Sequence, residues 1–73
     1  MKPSGNQLVI FAAEVAGYAC ARDYGNAIKV LEACTPLEAA SVIVTALSLL
    51  RDTTTNGAFH ARELVGFING RLP

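Results

Sequence analysis

This chain has no tryptophan, one histidine, one methionine and two cysteines, and only 16% of its residues are charged. Each shortage removes a class of explanation. Cys20 and Cys34 are too few for a disulfide scaffold, and no CxxC pair is present. His60 is the sole histidine; with Glu63 one turn on, it makes a poor first-row metal site, so no metal is expected. Six basic and six acidic residues cancel. A neutral chain lacks the electrostatic footprint for nucleic acid or anionic lipid, and neither is expected as a partner. No GxSxG, HExxH, P-loop or GxGxxG occurs. The carboxylates Glu14, Asp23, Glu32, Glu38, Asp52 and Glu63 are dispersed. No catalysis and no cofactor are expected.

Long hydrophobic runs are missing too. Ala39 to Leu50 is free of charge but falls well short of the roughly 18–20 residues that a membrane span needs. Lys2 is followed by Pro3-Ser4-Gly5-Asn6, not by the apolar core of a secretion signal. The expectation is a cytoplasmic protein. Arginine outnumbers lysine four to two, and Ala, Gly and Val are abundant, a composition that fits a bacterial or phage coding sequence.

Against these absences, 52% of the residues are hydrophobic, in a chain of 73. That length allows one domain, residues 1–73, near the lower size at which a single core holds. The strongest local signal is Thr35-Pro36-Leu37-Glu38. Thr35 reads as a helix N-cap, Pro36 as the first helical residue and Glu38 as the return half of a capping box. The apolar arc that follows covers about 240° of the helix circumference, beyond the single stripe of a surface helix. This helix is expected to be central and mostly inaccessible, with Val44 among its covered residues.

The pattern predicts an all-α protein: a compact bundle of four helices with helix 3 central. Met1 to Asn6 reads as a frayed lead-in, and a first helix spans about Gln7 to Arg22. On a wheel of 100° per residue its core face holds Ala12, Ala16, Ala19 and Cys20, with Val9 and Ala13 beside them and Leu8 and Val15 flanking. Asp23 is the expected cap of a second helix, about Tyr24 to Ala33, with the stripe Ala27, Val30, Leu31 and Cys34. The third helix runs from about Pro36 to Arg51. Asp52 to Gly57 reads as a polar linker. A fourth helix, about Ala58 to Asn69, carries Ala61, Leu64, Val65, Ile68 and Leu72 inward, and Gly70 is the expected left-handed cap. If the first two helices form an antiparallel hairpin, the two thiols stand turns apart, and both are expected to be buried and unbridged.

Tyr18, Asp23-Tyr24-Gly25-Asn26-Ala27-Ile28 and Leu31 together resemble the inner part of a tetratricopeptide-type helical hairpin. The resemblance covers under half of the chain. The small residue expected eight positions before the turn's aromatic is displaced, since Gly17 is not there and Val15 and Ala16 are nearer, and Pro36 comes too early. With one copy only, no solenoid core can be buried, and the segment is treated as generic hairpin packing.

The aromatics point to function. Phe11 and Tyr18 fall in the polar sector of the first helix. Phe59 and Phe67 fall off the core stripe of the fourth, beside His60, Glu63 and Arg71. Aromatics among a few charges are the composition of interface cores, and these seven residues are the candidate partner-binding set. Two functions follow as expectations. One is a small non-catalytic protein-binding module: a regulator, inhibitor or adaptor that occludes a protein partner. Homodimerisation belongs to this reading, with the first and fourth helices as walls. The alternative is a small helix-turn-helix-like DNA-binding regulator, since Cys34-Thr35-Pro36 is a tight turn between helices. Its recognition helix would be the apolar third one, which offers only Glu38, Ser41, Thr45 and Ser48 to DNA.

Overall fold

The structure, a computed structural model, describes residues 5–53 and 55–71. Four helices follow in order: α1 (Gly5–Cys20), α2 (Tyr24–Glu32), α3 (Pro36–Thr53) and α4 (Gly57–Arg71). Among the described residues there is no strand. The bundle is compact, with a radius of gyration of 11.2 Å, about that expected for a domain of this length. It is also flat, with extents of 35 × 28 × 16 Å. Its shortest extent is that of about two packed helix layers, so each helix keeps an outward face without a neighbour. Residues 1–4, 72 and 73 lie outside the described residues, and with them most of the expected lead-in and Leu72 of the α4 stripe, whereas Gly5 and Asn6, expected in the lead-in, open α1.

Helix α3 is central and packs against all three of the others, with its largest interface to α1. Small side chains allow that pairing: Ala12, Ala16 and Ala19 of α1 are buried, as is Ala46 of α3. Val15, Val42, Leu50 and Leu64 are the largest fully buried side chains. Truncating a buried leucine to alanine costs about 2–5 kcal/mol, so these four positions hold much of a small domain's stability.

The capping box at α3 is present. The Thr35 amide donates to Glu38 Oε1 at 2.8 Å, and the Glu38 amide donates to Thr35 Oγ1 at 3.3 Å. At its other end α3 runs on to Thr53, whose hydroxyl donates to the Leu49 carbonyl. With α4 beginning at Gly57, the expected linker Asp52 to Gly57 is three residues shorter, and Thr54 within it lies outside the described residues.

Other expectations are corrected. The inward face of the first helix is rotated toward Val15: Ala12, Ala16 and Ala19 are buried as expected and Val15 is fully buried with them, whereas Val9, Ala13 and Cys20 are exposed. Phe11 and Tyr18 are half-buried against the core and not part of a polar sector. They look outward only if the wheel is centred on the smallest residues. Asp23 precedes α2, but its side chain makes no cap. Instead its carboxylate accepts a hydrogen bond of 2.7 Å from the Asn26 side-chain amide. Gly70 is helical, and α4 continues through it to Arg71.

The largest correction concerns α3 itself. Only Val42, Ala46 and Leu50 are fully covered, while Val44 is 64% and Leu37 85% exposed. Central placement does not imply enclosure here, because the flat bundle supplies neighbours to only part of the α3 circumference.

Candidate functional site

The end of α1 builds the first surface of interest. Arg22 has a φ of 59°, in the left-handed region. The Asp23 amide donates to the Tyr18 carbonyl at 2.8 Å and the Arg22 amide to the Ala19 carbonyl at 3.1 Å. These are the paired bonds of a Schellman motif, with arginine where glycine is usual. The motif ends α1 and starts α2 at once, so Arg22 and Tyr24 are delivered to one corner.

Helix α4 meets that corner. Phe59, Glu63 and Phe67 recur every four residues and share one face. The Tyr24 and Phe67 rings stack with centroids 5.3 Å apart and planes inclined by 27°. Such a pair contributes about 0.5–1.5 kcal/mol beyond its burial. Tyr24 Oη donates to Glu63 Oε1 at 3.3 Å. Arg22 sits over the Phe59 ring, 5.6 Å from its centroid, a cation–π contact worth about 0.5–1 kcal/mol at an exposed site. Burial raises the Tyr24 pKa above its ordinary 10, and the neighbouring Glu63 charge adds to the rise.

Between these side chains lies an open groove of about 470 Å³, lined by Tyr24, Phe59, Arg62, Glu63, Gly66 and Phe67. Of the seven expected site residues, Phe59, Glu63 and Phe67 come together here. His60 is half-buried, with its ring tilted on Phe59 and its buried Nδ1 without a hydrogen-bond partner among the described residues. Phe11 and Tyr18 are half-buried on α1, against the core. The Arg71 side chain lies outside the described residues. Sequence reasoning missed Arg22, Tyr24 and Arg62. The first two sit far away in sequence from α4, and no local period could have paired them with it.

A second groove, of about 550 Å³, lies between α2 and α3. Ile28, Leu31, Ala39, Ile43 and Ile68 are among its walls, with Glu32 the one charged residue. It also holds Cys34, a half-buried free thiol whose Sγ donates to the Val30 carbonyl at 3.5 Å. Burial, with Glu38 nearby, pushes this thiol's pKa up. Cys20, expected to be buried, is exposed and free.

Among the described residues, no group of three or more His, Cys, Asp and Glu side chains could hold a metal ion, and no helix is long and apolar enough to cross a membrane. No protein-family model, no curated protein and no solved structure matches this chain, so its own geometry carries the functional reading.

Proposed function

We propose that the chain is a small non-catalytic protein-binding module, a regulator, inhibitor or adaptor that docks a protein partner on the aromatic face of α4 and the α1–α2 corner. One observation carries the reading. Three of the five aromatic residues of the chain, Tyr24, Phe59 and Phe67, gather with Arg62 around one open groove, and Arg22 sits over the Phe59 ring. Aromatic and arginine side chains are the residues that most often dominate binding energy at protein interfaces. The groove is shallow and bounded by both signs of charge, which suits a protein surface better than a small substrate.

Self-association belongs to the same reading, because six large apolar side chains among the described residues, Leu37 and Val44 included, remain exposed. The outward face of α3 weighs against the DNA-binding alternative. Leu37, Ala40, Ser41, Val44 and Ser48 occupy it, and no base appears before Arg51. A recognition helix needs polar and basic residues there.

Paired pulldowns from the source organism test the docking face, using the native chain and a Phe59→Ala/Arg62→Ala variant. A protein retained by the native chain and lost by the variant supports the site. Equal retention by both sinks the site. Retention of nucleic acid that falls steeply between 50 and 200 mM salt would favour the DNA reading instead.

A further inference from the structure

We propose that two copies of this chain pair through the outward faces of α3, antiparallel, about a two-fold axis at Val44. The proposal rests on the self-association half of the reading above and is independent of the aromatic face of α4.

Leu37, Ala40, Ser41, Val44, Ser48, Arg51 and Asp52 fall within one sector about 120° wide at 100° per residue. All seven are exposed. From Leu37 to Ser48 the sector carries no charge, and its two large apolar members are 85% and 64% exposed. The α2–α3 groove opens along the flank of this sector that holds Ala40.

Two properties commit the face to a second copy. First, side-chain size along the sector reads nearly the same in both directions from Val44. The small Ala40 and Ser48 lie four residues to either side, and the long Leu37 and Arg51 lie seven to either side. An antiparallel pair centred on Val44 sets Ala40 against Ser48 and the Leu37 side chain against the Arg51 stem. Such self-complementarity is what a two-fold interface requires. Second, the charges agree with that direction. Arg51 lies in the same helix row as Ala40 and Val44, on the groove flank. In the antiparallel pair it reaches the partner at the level of Leu37, where Glu32 lines the groove. A parallel pair would set Arg51 against Arg51 and Asp52 against Asp52.

Size limits the affinity. The 18 residues of α3 make a face about 27 Å long and about 10–12 Å wide, roughly 300 Å² in projection. A standard interface covers about 800 Å² per partner. The groove flank must therefore join the seam, and association in the micromolar range is the expected outcome.

Sedimentation equilibrium and single-cysteine cross-linking test the seam and its register. The native chain should approach twice its monomer mass as concentration rises through the micromolar range. Val44→Asp should raise the dissociation constant at least about 30-fold with the helical circular dichroism unchanged, since Val44 is already largely exposed in the monomer. In a Cys20→Ser/Cys34→Ser background, Val44→Cys should oxidise readily to a covalent dimer. Leu37→Cys should not, because its two copies would stand about 21 Å apart along the pair. Cross-linking of both variants would mean a parallel seam and overturn the proposal. A dimer that cross-links through neither and ignores Val44→Asp would overturn this seam while leaving self-association standing. A monomer at every concentration would overturn both, without touching the docking face on α4.

Discussion

Gly57 lies directly against the Leu50 carbonyl, so that the first residue of α4 packs on the backbone of the last turns of α3. A Cβ at Gly57 would run into that carbonyl and would stand 2.9 Å from the Arg51 Cα. All of these are backbone atoms of Leu50 and Arg51, so no flexible side chain can yield. The glycine is needed here for close approach, not for an unusual φ, and it sets how tightly the α3–α4 hairpin closes. Gly57→Ala is expected to destabilise the protein by about 1–3 kcal/mol, the usual range for overpacking. Urea denaturation of the two proteins would measure it. An unchanged midpoint would mean that the hairpin is more open than described.

At Arg22 two effects oppose each other. Its left-handed backbone is strained by roughly 1–2 kcal/mol relative to a right-handed one, while its guanidinium gains a cation–π contact with Phe59. Alanine and glycine both remove the contact, but only glycine relieves the backbone. Arg22→Gly should therefore be more stable than Arg22→Ala by about 1 kcal/mol. The comparison isolates backbone conformation, and thermal melts of the two variants suffice. Equal stability would contradict the left-handed turn.

Thr35→Ala should cost about 1 kcal/mol, the typical loss when an N-cap oxygen is removed. The same denaturant series can include Glu38→Ala, which removes the other half of the capping box. If the two halves act as one device, the double variant will lose less than the two single losses added together. Strict additivity would argue for two independent contacts.

Tyr24 should titrate above pH 10 in an absorbance titration of the phenolate band, because its pKa is raised by burial first and by Glu63 second. The sign for stability follows directly. A phenol whose folded pKa exceeds its unfolded value contributes stability that is complete below the unfolded value and is lost as pH rises through the folded one. The Tyr24→Phe variant should lack that alkaline loss. Glu63→Gln should lower the Tyr24 pKa only part of the way back, since the burial contribution remains. A Glu63→Gln variant with full restoration to 10 would show that charge and not burial dominates.

The sequence by itself determined the four helices and their order, and the start of α3 was legible to the residue. Thr35, Pro36 and Glu38 act through bonds that span three residues, so their geometry is local and their chemistry can be read directly. The inward positions of Ala12, Ala16, Ala19, Ala27, Leu31, Leu64 and Ile68 were legible for a similar reason, since helical period alone groups them. Tertiary structure decided which part of each apolar arc was covered. The arc of α3 exceeds the neighbours that a flat 73-residue bundle can offer. Periodicity ranks positions by apolarity but does not count neighbours, and so Val42 and Val44 look alike on paper while one is fully buried and the other 64% exposed. The aromatic face is a tertiary product as well. Arg22 and Tyr24 reach Phe59, Glu63 and Phe67 only because a left-handed arginine ends α1 and a glycine lets α4 close on α3. The contacts of Arg22 and Tyr24 with α4 join segments far apart in the chain, where no local rule of spacing applies.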